Sequence, residues 1–330
     1  MIGFKKLLFL VFLLTTGVLF LAPFIGIKLL SPSLFYSPQS IDWQIFFELR
    51  LPRVITAFVA GGSLAVAGMV FQALFRNPLA TPFTLGISSG ASCGAALIIL
   101  FGIGGTVLST PFTTLGAFGG ALAATVLVYA LSAVTRSTSG VTMLLAGIAV
   151  SFSFSAVLLF LQYLSDLKHS FQIVRWLMGG VEVHGYTRLL FMFPLVMTGL
   201  SIIALHLPHL DHFLTGEHLA TSRGINIEAT RRWLFFATSI SVAGVVASCG
   251  PIGFIGMMVP HVCRLLIGSN HRRLGPLCFL FGGAFLVVCD TIARVIIAPS
   301  EMPVGVLTAL LGGPFFLWIL LSRGARAGEW

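Results

Sequence analysis

The residues best suited to chemistry are arginines set at the edges of apolar runs. LRLPRVITAFVAGG, residues 49–62, carries Arg50 and Arg53 around Pro52, just ahead of a long apolar stretch. A guanidinium is a planar fork of donors that matches a carboxylate bidentately. A third arginine, Arg294, follows Asp290 by four residues in VVCDTIARVIIAPSEMP, the spacing of a helical ion pair. GISSG, residues 86–90, spells the G-x-S-x-G of serine hydrolases, but that motif needs a strand, a tight turn and a helix. No alternation of strands and helices surrounds it. An intramembrane hydrolase would instead set Ser88 or Ser89 beside His261 from another span. Small residues for packing explain the segment better, and Gly86 and Gly90 make a G-x-x-x-G face. His206, His209, His212 and His218 cluster in sequence but lack the H-E-x-x-H arrangement of a zinc site. The chain has four lysines, none of which follows a glycine, so it contains no P-loop.

These residues must be carried by membrane helices. Of 330 residues 57% are hydrophobic and only 9% charged, and the mean hydropathy is +1.02. Apolar runs of about 20 residues read as spans, and a spanning backbone must satisfy its own hydrogen bonds, so an all-helical bundle is expected. The 36 glycines suit close helix contact in lipid. Ten spans are expected, at 7–29, 53–74, 84–104, 113–134, 141–164, 187–206, 231–249, 252–267, 276–297 and 303–321. Gly250, Pro251, Gly253 and Gly256 must break the chain between the seventh and eighth. The start, with Lys5 and Lys6 before an apolar stretch, imitates a signal peptide but has no clean A-x-A site, and reads as an uncleaved first span. The five cysteines lie mostly in apolar runs without a C-x-x-C pair, which indicates neither a disulfide framework nor a zinc site.

The net charge of +9 reads as loop arginines that orient a membrane protein, not as a nucleic-acid surface. With Lys5 and Lys6 placed inside and the spans alternated, Lys28, Arg50, Arg53, Lys168, Arg175, Arg188 and Arg294 fall outside. The other 12 of the 19 basic residues fall inside, and both termini are cytoplasmic. Arg50, Arg53 and Arg294 thus lie outside against the trend. SLAVAGMV at 63–70 returns as SISVAGVV at 239–246, in spans of opposite orientation, which suggests five spans repeated with inverted topology. The largest inner segment, 207–233, is polar. Thr215 can cap a short helix from Gly216 to Arg223, ended by Gly224, and Asn226 can cap a second helix with Glu228 in its first turn. A plain solvated loop is the simpler reading of that segment.

The long blocks around LRLPRVITAFVAGGSLAVAGMVFQALFRNPLATPFTLGISSGAS and GPIGFIGMMVPHVCRLLIGSNHRR resemble the FecCD-type permeases, the membrane subunits of ABC importers for ferric siderophores, haem and cobalamin. The likeness runs from Leu49 to Leu321. It implies a single permease domain over 1–330 with the type II importer fold, in a homodimer or pseudo-dimer of ten-span subunits. It further implies two cytoplasmic ABC ATPases, a periplasmic or lipoprotein solute-binding protein, and an inner-membrane location. No cofactor, metal or nucleic acid is implied, and the chain itself is expected not to be an enzyme. In relatives, arginines of L-R-L-P-R and D-x-x-A-R receive acidic residues of the binding protein, and these match Arg50, Arg53 and Arg294. Segment 207–230 matches the coupling loop held by the ATPase. Gly216, Glu217, Ala220 and Gly224 follow its pattern, while Thr215 and Arg223 stand where relatives have leucines. TRSTSG at 135–140 matches an inner constriction, with Thr138 and Ser139 as gate residues. The cargo expected first is a ferric siderophore, then haem, cobalamin and, last, molybdate-type oxyanions. A self-contained secondary carrier is the alternative, though the acids sit nearly all at span ends or in loops, where few could couple an ion.

Overall fold

A computed structural model describes residues 4–36, 40–107, 110–134, 140–181, 185–215 and 226–324. Eleven helices occur among them. They are α1 (Phe4–Leu21), α2 (Ile41–Leu74), α3 (Ile87–Leu100), α4 (Phe112–Val134), α5 (Gly140–Leu164), α6 (Leu167–Leu177), α7 (Thr187–Thr215), α8 (Ile227–Cys249), α9 (Ile255–Ile267), α10 (His271–Val295) and α11 (Val304–Gly324). Seven of these helices are long and apolar enough to cross a membrane; α3, α9 and the Val304–Ile319 stretch of α11 are shorter apolar helices. All ten expected spans are therefore helical. A two-residue antiparallel ribbon, Thr106–Val107 with Thr110–Pro111, lies between α3 and α4.

The repeated sequence sits at the centre. Its two copies lie on α2 and α8, the most deeply buried of the long helices, and Ser63 and Ser241 share a hydrogen bond of 2.8 Å where they cross. Each is followed by a short helix that starts from a left-handed residue, Gly86 (φ 78°) before α3 and Phe254 (φ 67°) before α9. A long helix comes next in each half, and packing is exchanged: α2 lies along α10, and α8 along α4. This is the 5+5 arrangement, with α6 inserted between the halves.

Small residues set the helix separations. A Cβ on Gly68 would overlap the carbonyl oxygen of Gly256, so α2 and α9 cross backbone to backbone, and Gln72 donates to that same carbonyl at 3.1 Å. Gly90 and Gly94 of α3 meet Gly120 and Gly116 of α4 in the same way. The packing pair on α3 is thus Gly90 and Gly94. Gly86 instead caps the helix, because its φ of 78° strains any residue with a side chain and a Cβ there would press on Val150.

Boundaries differ from expectation where tertiary contacts override hydropathy. Helix α2 begins at Ile41 and passes through a π-helical stretch at Ile45–Arg50 before Pro52. Helix α7 runs on through Pro208 to Thr215, well past residue 206, because Leu210 is fully buried and Asp211 is engaged by α10. The break between α8 and α9 falls where Gly250 and Pro251 place it, with α8 ending at Cys249. Asn226 caps α8, accepting from the Ala229 N–H at 3.0 Å. Helix α6 has no counterpart among the ten spans. It is short and amphipathic, and Asp166 caps it by accepting from the His169 N–H at 2.8 Å. That hydrogen bond, foremost, holds the Asp166 carboxyl below the usual carboxylate range.

Candidate functional site: an arginine cluster at one end of the bundle

Arg50, Arg53, Asp290 and Arg294 gather at the end of the bundle that the charge pattern assigns to the outside. The π-stretch and Pro52 aim the first two in different directions. Arg50 turns back to the segment after α1 and donates to the carbonyls of Pro23 (3.2 Å), Phe24 (3.0 Å) and Lys28 (2.7 Å). Its guanidinium lies over Gly26, 2.6 Å from where a Cβ would stand, so a side chain there would have to push it off these carbonyls.

Arg53 crosses to α10, 237 residues away in sequence. Its Nε and Nη2 hold Asp290 at 3.0–3.1 Å, and its Nη1 reaches Glu301 at 2.6 Å. Asp290 is 1% exposed and is shared, since Arg294 Nε lies 3.2 Å from its Oδ2. The i, i+4 pair that the spacing suggested is therefore present, but as half of a three-residue bridge. Arg294 also donates from Nη2 to Thr291 Oγ1 at 3.0 Å, while its Nη1 is buried and has no hydrogen-bond partner. A cavity of about 680 Å³ opens beside these groups. Arg50, Arg53, Arg175, Arg294, Ser300 and Glu301 line much of it. Four guanidiniums face two carboxylates here, Asp290 and Glu301, so the concavity carries net positive charge and suits an incoming carboxylate. Glu301 and Arg175 carried no marker in the sequence beyond their charge. Each joins the site through a fold contact.

The other sequence candidates lie elsewhere. Ser89 donates to the Gly86 carbonyl at 3.0 Å and the buried Ser88 hydroxyl has no partner, so neither serine is hydrogen-bonded to a histidine. His261 packs edge-on against Phe315. It lines a separate cavity of about 510 Å³ with Arg76, Asn77, Val141, Leu144, Met257 and other residues near the opposite end of the bundle. A hydrolytic serine–histidine pair is thereby corrected to two unrelated packing environments. At that same end Asp211 accepts from both the backbone N–H (2.9 Å) and Nδ1 (2.6 Å) of His271, tying α7 to the start of α10. Arg264 bonds Gln72 beside the Gly68–Gly256 crossing. Thr215 is the last residue of α7. Gly216, Glu217, Ala220, Arg223 and Gly224 lie outside the described residues, as do Thr138 and Ser139.

An inverted repeat of membrane helices with two buried central spans and a charged concavity at one end is the plan of a helical membrane transport protein. The chain belongs to the FecCD transport family, whose pattern matches residues 7–322. It is 39% identical over 294 residues to the hemin transport system permease protein HmuU of Yersinia pestis, covering 88% of each chain. It is 37% identical over 305 residues to the cobalamin import system permease protein BtuC of Halobacterium salinarum, covering 92% of this chain and 80% of the other. A solved structure described as an inward-facing metal-chelate type ABC transporter superposes with a TM-score of 0.84 at 32% identity, covering 97% of this chain and 99% of that one.

Proposed function

We propose that the chain is the membrane-spanning half of an importer that carries a metal chelate inward by alternating access, driven by ATP hydrolysis in a partner. The observation that carries this reading is family membership along nearly the whole chain, in a sequence with no nucleotide-binding loop of its own. A ferric siderophore is the first cargo to test. Haem and cobalamin follow, the cargoes named for the relatives HmuU and BtuC. Two copies would form the pathway, with both termini cytoplasmic. Arg50, Arg53 and Arg294 would dock a solute-binding protein through its carboxylates, setting orientation and on-rate more than affinity. The 207–230 segment, entered from the end of α7 at Thr215, would sit in the ATPase cleft. A push there would rock packed helices between discrete arrangements. Thr138 and Ser139 would narrow the inner end of the pathway.

Reconstitution into proteoliposomes with the ATPase and the binding protein of the same system tests the proposal. Uptake of a labelled chelate should require ATP hydrolysis. Uptake by the permease alone, driven by an ion gradient, would establish the secondary-carrier reading instead. Replacing Arg50, Arg53 and Arg294 together by Glu should weaken binding-protein association at low salt and leave the dimer intact. Unchanged affinity would remove those residues from the docking role.

A further inference from the structure

We propose that Glu301 is a built-in stand-in for a partner's carboxylate: it occupies Arg53 and closes the rim of the arginine cavity until an acidic protein side chain displaces it. The proposal rests on the docking reading above.

The two carboxylates on Arg53 are unlike. Asp290 is 1% exposed and grips the Nε/Nη2 edge while also holding Arg294. It is a permanent part of the core. The Glu301 side chain is 40% exposed and touches only the remaining nitrogen, Nη1, at 2.6 Å. An ion pair open to water exchanges at little net cost, whereas one buried on both sides does not. Glu301 also stands outside regular structure, in the segment between α10 and α11 that carries Pro299 and Pro303. It can swing away without unwinding a helix.

The cluster is short of acceptors as it stands. Arg294 is 4% exposed, lines the cavity, and has its Nη1 buried without a hydrogen-bond partner. A buried charged donor in that state is a costly feature that a ligand oxygen would relieve. When Glu301 leaves, Arg53 Nη1 is also freed. Arg53 then offers a free donor to a cavity that Arg294 also lines, with Asp290 still fixed behind both. That pattern takes carboxylate oxygens. The cavity opens at the bundle end, beside Arg50 and Arg175, and this favours side chains presented by a protein surface over a small anion. Glu301 thus keeps Arg53 paired at rest and makes docking an exchange of one carboxylate for another.

The test needs no natural partner. The permease in nanodiscs is treated with phenylglyoxal, and modification of Arg53 and Arg294 is followed by mass spectrometry. In Glu301→Gln the rate at both positions should rise by up to about fivefold, the upper end expected for loss of one exposed ion pair. Hexaglutamate peptide should protect both arginines in the variant at lower concentration than in the parent. If Glu301→Gln does not yield a monodisperse protein, Glu301→Asp, whose shorter reach takes the carboxylate off Arg53, should move both readings the same way. Equal labelling rates in parent and variant would overturn the proposal. So would faster labelling without peptide protection, or equal protection by free glutarate at matched carboxylate concentration. None of these outcomes bears on whether the Arg-to-Glu triple variant loses its binding protein, so the two readings fail separately.

Discussion

Asp290 is the residue whose loss should cost most, and the structure lets the cost be worked out. Its carboxylate lies 3.0–3.2 Å from nitrogens of both Arg53 and Arg294, and the three side chains are 1%, 12% and 4% exposed. Two unit charges about 4 Å apart attract by about 4 kcal/mol at an effective dielectric of 20, so Asp290 offsets much of the desolvation of two guanidiniums. In Asp290→Asn, Arg53 keeps Glu301, but Arg294 loses its carboxylate partner and is left with neutral acceptors such as the Thr291 hydroxyl and the carbonyl of residue 290. Removing one partner of a buried pair costs about 3–5 kcal/mol, and most of it should fall on Arg294. Thermal unfolding in detergent, read by tryptophan fluorescence, should show a large drop in midpoint. The double variant Asp290→Asn/Arg294→Met should recover most of the loss, because it removes the stranded charge as well. A loss under about 1 kcal/mol, or strictly additive effects in the double variant, would refute the buried three-residue bridge.

Three further outcomes follow from the packing and the caps. Gly90→Val should collapse the yield of folded protein by forcing α3 from α4, since a Cβ there would stand 2.7 Å from the Ala124 Cβ, while Gly17→Ala, with nothing within 4 Å, should be neutral or stabilising by size-exclusion and melting. Asp211→Ala removes the acceptor for two His271 groups and should cost about 1 kcal/mol, seen as faster hydrogen exchange at 271–274. The Asp166 carboxyl is held below its ordinary value of 3.8, so its cap on α6 is fully present above that value and is lost as pH falls through the lower folded value. Exchange at 167–170 should therefore be flat from neutral pH down to about 4 and rise only in stronger acid, once corrected for intrinsic rates.

Much of the bundle was legible without coordinates because lipid allows so few solutions. A span must close its own hydrogen bonds, so apolar length alone announces a helix, and glycine and proline announce the breaks. The SxxVAGxV repeat marked the two central helices for the same reason: both must be small-residue surfaces to pass close to a neighbour. Arg50, Arg53 and Arg294 stood out because they break the charge trend. Tertiary structure decided the rest. Nothing local shows that Arg53 meets Asp290 across 237 residues, that Glu301 returns to cover it, or that Arg294 is left with a bare buried nitrogen. Periodicity likewise missed α6, whose stability rests on one cap and one apolar face, and cut α7 short at residue 206, where a buried Leu210 and the Asp211–His271 contact extend it. Spans are set by the solvent each residue meets, which the local sequence encodes. The site is set by which spans lie side by side, and only the folded chain encodes that.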